Sequence, residues 1–295
     1  NPYYTAYFTR PRKDRLTILQ VLQNTTCLRF QFNVETGRRL AEADIPQKWQ
    51  DRVAALGEVQ YDTAGLKELL DEWFGKDGEN QTRTTIEQTA AVVYYRHQTA
   101  VPLIQTLVCD DAWQFKSITD FVALCWVHAG RHYHKLRPVV TRHQVMLDDF
   151  ITAYWDYYAK LQRYRADATA DEASRLRIEF DELFSTVSGY EALDERIEKT
   201  LSKKDELLTV LDHPEVPLHN NDAELGARVS ARRRDVSLHS RSKRGVRSMD
   251  IHTTLVQTCK KLGVSGYAYI RDRLIGRREL PSLADLIRAA AAPST

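Results

Sequence analysis

Apolar and polar positions change their period several times along the chain, and each change marks an element. Residues 3–9 are rich in Tyr, Phe and Thr, which favour strands. A polar turn from Arg10 to Asp14, containing Pro11, separates them from residues 15–22, which fit a strand or a helix and are read by preference as the second arm of a hairpin. Residues 26–32 alternate and predict a further strand. From Glu35 to about Phe74 the spacing is helical, with breaks near Pro46 and Gly57, and residues 84–100 predict another helix after a loop at 77–80. The apolar run Leu103 to Val108 follows Pro102 and ends in Cys109-Asp110-Asp111, the pattern of a buried strand. Residues 117–136 predict a helix after a short strand around Val122–Leu124. Residues 139–165 and 170–208 predict two long helices with aromatic anchors at Tyr154, Trp155, Tyr157, Tyr158 and Phe180. After an irregular link at 213–217, a helix starts at Asn221, and residues 250–262 and 267–275 are helical, with fraying expected from Ala289 onward.

This order predicts an α/β fold in which residues 3–32 and 103–110 share one sheet and residues 139–208 form a helical insertion. With 43% hydrophobic residues over 295 positions there is enough apolar material for a core, as one large domain or two smaller ones. The net charge of +2 names no partner. The four cysteines, Cys27, Cys109, Cys125 and Cys259, are widely spaced and form no CxxC pair, which argues against a zinc ribbon or a disulfide framework and for reduced thiols in the cytoplasm. No run of about 18 apolar residues spans a membrane, and no signal peptide is visible. An aromatic run begins almost at Asn1 without an initiator Met, so further sequence is expected upstream.

Three segments carry candidate chemistry. Asp110 directly follows the apolar run, and a carboxylate at the C-terminal end of a strand lies where α/β sheets bind ligands and can hold a divalent cation. The same pattern fits an Asp pair that caps the next helix. In Leu218-His219-Asn220-Asn221-Asp222-Ala223-Glu224, Asn220 or Asn221 is a helix N-cap and Glu224 lies in the first turns, four residues before Arg228, which also fits an ordinary surface pair. Arg228, Arg232, Arg233, Arg234, Arg241, Lys243, Arg244 and Arg247 then follow with only one acid, Asp235, among them. This local basic field suits a phosphate backbone, although such runs also occur on solvated faces. In Cys125-Trp126-Val127-His128-Ala129-Gly130-Arg131-His132-Tyr133-His134, a CxxH pair supplies two ligands where zinc needs three or four. Cys125, His128 and Arg131 are therefore expected to pack or to support a site.

These segments, in this order, resemble the insertion-sequence-66 family of bacterial transposases. CWVHAGRHYHKL is similar to that family's Cys-Trp-x-His-x-x-Arg segment. PEVPLHNNDAELGARVSARRRDVSLHSRSKRG is similar to its Asn-Asn-x-x-Glu-(x)₃-Arg segment, and TLVQTCKKLGVSGYAYIRDRL to its C-terminal pattern. The resemblance implies a ribonuclease-H-like core with a helical insertion and a helical C-terminal region. The corresponding boundaries are residues 1–138 and 209–275 for the two parts of the core, 139–208 for the insertion and 276–295 for a tail. It implies DDE chemistry, with three carboxylates holding two Mg²⁺ (or Mn²⁺) ions for DNA strand cleavage and transfer. Asp110 would be the second aspartate, Glu224 the closing glutamate, and Asn220 and Asn221 supporting residues. Arg228, Arg232, Arg234, Arg241, Lys243 and Arg244 would contact double-stranded DNA. A homo-oligomer on DNA, at the bacterial nucleoid in the cytoplasm, is implied as well. The family's first aspartate precedes a hairpin that residues 3–22 would match, and no acid precedes Asp14 here. The chain is therefore expected to be truncated upstream of that aspartate, the alternative being a catalytically inactive DNA-binding remnant.

Overall fold

A computed structural model describes residues 2–76, 80–237 and 242–292, with the side chains of Asp222 and Arg234 excepted. The fold is α/β and mostly helical. Backbone packing divides it into two compact units, Asn1–Pro11 with Asn220–Thr295, and Arg12–His219.

The larger unit begins with α1 (Arg15–Leu22), where a hairpin strand is expected. Asp14 decides the outcome: its Oδ1 accepts from the Thr17 amide at 2.8 Å, an N-cap that opens a helix and buries Leu19. The first strand is β1 (Arg29–Phe32), shorter than the 26–32 expected. It is followed by α2 (Val34–Glu42), α3 (Gln47–Ala55), β2 (Val59–Asp62), α4 (Thr63–Phe74) and α5 (Gln81–His97). β2 lies inside the stretch expected to be helical, and it pairs antiparallel with β1 in the register Phe30↔Tyr61. Phe30, Phe32, Leu40, Leu66, Leu70, Ile86 and Val92 are buried between this pair and its helices as one core.

A second core is built on β3 (Thr106–Cys109) and β4 (Phe121–Leu124), which pair in parallel with Cys109 opposite Leu124. The strand expected around Val122–Leu124 is present. The shared sheet is not: among the described residues β1–β2 and β3–β4 form separate two-stranded sheets. After β4 come α6 (Trp126–Tyr133), α7 (Thr141–Tyr164), α8 (Ala170–Phe184), α9 (Glu191–Leu201), α10 (Lys204–Leu207) and α11 (Thr209–Asp212). Residues 139–208 are thus helical, but the expected second long helix is broken at 185–190, where Gly189 takes a φ of +82°.

Trp126 is the hub of this second core. It is fully buried, its Nε1 donates to the Leu207 carbonyl at 2.9 Å, and Tyr154, Tyr157, Phe180 and Phe184 surround its ring. Gly130 lets α6 approach α7, since a Cβ there would lie 2.8 Å from Trp155 Cζ2 and 3.0 Å from Tyr154 Cε1.

The smaller unit contains α12 (Asn221–Ser237), α13 (Lys243–Lys261), α14 (Gly266–Leu274) and α15 (Leu283–Ala291). α13 starts before the residue 250 expected. α15, capped by Ser282 through the Asp285 amide at 3.1 Å, occupies part of the expected tail. Residues 3–9 do not form the expected strand. They run extended along α13, where the Thr5, Tyr7 and Thr9 amides donate to Thr258 Oγ1 (3.4 Å), Thr254 Oγ1 (3.0 Å) and Asp250 Oδ2 (2.7 Å). Two extended residues advance about 6.7 Å and four helical residues about 6 Å, so alternate strap residues meet every fourth residue of the helix. Helix side chains therefore satisfy the amides that a sheet would otherwise claim.

Candidate active site

Asp110 lies immediately after β3, at the C-terminal end of the parallel β3–β4 pair, as the sequence predicts. It is half-buried, and its Oδ1 accepts one long bond from the Ala112 amide at 3.4 Å. It makes no ion pair among the described residues, which leaves carboxylate lone pairs for a cation.

Asp111 has a different environment. Lys203, just past α9, bonds its Oδ2, and Lys116 Nζ lies 3.4 Å from Oδ1, close enough for ionic attraction but without hydrogen-bond geometry. Burial raises the Asp111 carboxyl, but the Lys203 bond and the charges of Lys203 and Lys116 outweigh it, so the group sits below the usual carboxylate range. Two adjacent carboxylates are thereby separated in role: Asp111 is bound to lysines and Asp110 is not. Burial and the neighbouring charges of Asp110 and Asp111 push the Cys109 thiol up to about 12, so it is no nucleophile at neutral pH.

Cys125 caps α6, its Sγ accepting from the His128 amide at 3.4 Å, and its own amide donates to the Cys109 carbonyl at 2.9 Å. His128 and His132 follow one turn apart, with ring centroids 5.5 Å apart. Arg131, expected to pack or to support a site, is exposed. Among the described residues no three His, Cys, Asp or Glu side chains gather as a metal-holding group.

In the smaller unit the Asn220 carbonyl accepts from the Ala223 and Glu224 amides at 2.9 and 3.1 Å and starts α12. The Asn220 side-chain Oδ1 is buried without a hydrogen-bond partner, so the expected side-chain cap is not made there. Asn221 is the first helical residue, and Glu224 follows half-buried in the first turn. The Tyr7 hydroxyl donates to the Gly226 carbonyl at 2.9 Å and ties the strap to this helix.

Arg228, Arg232, Lys243, Arg244 and Arg247 are exposed. Arg233 is committed inward, to Thr253 Oγ1 at 2.5 Å. Arg241 lies outside the described residues, as does the side chain of Arg234. Asp110 belongs to the larger unit and Glu224 to the smaller one. Their carboxylates, like the Asn220 oxygen, are hard donors of the kind Mg²⁺ and Mn²⁺ take. Lys116, Lys203 and Arg196 also lie near the strand end, and no local sequence pattern marks them.

Residues 83–248 match the Transposase IS66 family, a span that holds both candidate acids, the Cys125–Arg131 segment and the whole basic stretch. The chain is also 36% identical over 301 aligned positions to y4jO of Sinorhizobium fredii (strain NBRC 101917 / NGR234), a protein described as uncharacterized. That alignment covers 98% of this chain and 89% of the relative. The chain belongs to the IS66 transposase family. No solved structure matches it. No helix among the described residues is long and apolar enough to cross a membrane.

Proposed function

We propose that this chain is the catalytic region of a DNA transposase of the DDE type, acting on double-stranded DNA as a homo-oligomer at the bacterial nucleoid. The observation that carries this reading is the contrast at the end of β3, where Asp111 is held by lysines and Asp110 is left for a cation. In this reading β3, β4 and α6 belong to a ribonuclease-H-like core, residues 139–208 are its helical insertion, and residues 209–275 return to the core with the closing acid.

Asp110 and Glu224 would hold Mg²⁺ or Mn²⁺, with Asn220 and Asn221 as supporting residues. Bound in such a site, divalent cations supply an activated water or DNA 3′-hydroxyl and stabilise the leaving oxygen. Arg228, Arg232, Lys243 and Arg244 hold the phosphate backbone by charge, and Lys203 fixes Asp111 so that its neighbour keeps one orientation. A second reading is DNA binding without cutting, for which the exposed Arg228, Arg232, Lys243, Arg244 and Arg247 suffice.

Mg²⁺-dependent nicking of supercoiled plasmid tests the two readings. The enzyme reading expects nicking by the chain, abolished in Asp110→Asn and in Glu224→Gln. A chain that binds plasmid but never nicks it, with Mg²⁺ or Mn²⁺, supports the second reading.

A further inference from the structure

Between α6 and α9 lies a small cavity of about 20 Å³, which shares Lys203 and Asp111 with the strand end. One wall is Cys125, His128 and His132 of α6, the other is Arg196 of α9, and Lys203 and Asp111 close the end. A volume of this size takes about one water, and set among the apolar side chains around it are two histidines, an arginine and a lysine.

The charges do not balance. Asp111 is the one acid in this lining, and it is already paired with Lys203, with Lys116 Nζ 3.4 Å away. Arg196 has no carboxylate partner among the described residues, and its Nε is buried without a hydrogen-bond partner. Leaving a guanidinium N–H buried and unpaired is costly, and the natural remedy is an oxyanion. The Lys203 ammonium has three donors, and among the described residues its one hydrogen bond goes to Asp111.

We propose that the mouth of this cavity binds phosphate, with Arg196 and Lys203 supplying the charge and the His128 and His132 rings supplying further donors. One phosphate oxygen fills the water-sized space beside the Arg196 side chain, and the others take up the spare Lys203 donors. The electrostatics agree: burial first, then the positive charges of Arg196, Lys135, His128 and Lys203, press the His132 ring down to about 4. The site is distinct from the basic stretch of α12 and α13, and it does not depend on Asp110 or Glu224 holding a cation. Its phosphate is either free or part of a nucleic-acid backbone.

The test is a titration of the full chain, labelled with ¹⁵N-histidine, with inorganic phosphate at constant ionic strength, read by NMR. The expected result is a saturable movement of the His128 and His132 ring signals. Arg196→Gln should weaken it by about ten- to a hundredfold, the worth of a charged hydrogen bond, and Arg196→Lys should recover part of the loss. Asp110→Asn should leave the titration unchanged, which separates this site from the metal reading. A duplex oligonucleotide that displaces phosphate from these signals identifies a DNA backbone as occupant, and one that does not identifies free phosphate. Absence of saturable movement at His128 and His132 in the folded wild-type chain overturns the proposal, with no need of a variant. Movement that persists unchanged in folded Arg196→Gln overturns it too.

Discussion

Replacing Lys203 by Met tests whether the two strand-end acids are separated as described. Met keeps an apolar stem and removes only the ammonium. The side chains of Lys203 and Asp111 are 23% and 32% exposed, so the bond is partly shielded from water. A hydrogen bond to a charged group contributes about 1.5–3 kcal/mol. Solvent screening and the remaining Lys116 reduce the expected loss to about 1–2 kcal/mol. The sign with pH follows from the depressed Asp111 carboxyl. A carboxyl lowered on folding contributes stability that is full above its unfolded value, near 3.9 (roughly). That contribution is lost as the pH falls through the folded value. Urea unfolding of wild type and Lys203→Met should therefore show a gap at neutral pH that closes on acidification below about pH 4. No gap at neutral pH, or a gap that widens in acid, would refute the reasoning.

Two further outcomes follow from packing and charge. Gly130→Ala gains about 1 kcal/mol of helix propensity, but overpacking costs about 1–3 kcal/mol. Tyr154 cannot yield, because it is buried and its hydroxyl is tied to the Trp126 carbonyl at 2.7 Å. Net destabilisation is expected, as a melting temperature lower by a few degrees, and a higher one would contradict the contact. Changing Arg232, Lys243 and Arg244 together to Ala should flatten the slope of log affinity for duplex DNA against log salt by up to about 2.7, near 0.9 per phosphate contact. An unchanged slope in a binding titration places the DNA surface elsewhere.

The acid-bearing strand end was legible because an apolar run followed by Asp needs no distant partner to be recognised. The start of α12 at Asn221 is legible from the Asn pair, although the cap bond expected of the Asn220 side chain is not made. α1 is hard to tell from a strand because Thr17, Ile18 and Val21 favour strands, while the competing signal, Asp14 three residues before Thr17, is a cap. β2 is four residues long and set between helices, too short to interrupt a helical period. The strap at 3–9 has strand-forming residues and an extended backbone, yet its partner is a helix some 250 positions away, which no local pattern encodes. Lys203 is invisible for the same reason, being 92 positions from Asp111. The divergent fates of Asp110 and Asp111 therefore appear only in three dimensions.

Whether Asp110 and Glu224 are each a metal ligand is tested most directly by cleavage from a bound ion. Iron(II) in place of Mg²⁺, with ascorbate and peroxide, cuts a polypeptide close to where the ion is bound, and the fragments map the site. The proposed function predicts cuts beside Asp110 that excess Mg²⁺ suppresses and Asp110→Asn abolishes, and cuts beside Glu224 that Glu224→Gln abolishes. A folded chain cut at neither place, or cut there equally in these variants, would contradict it.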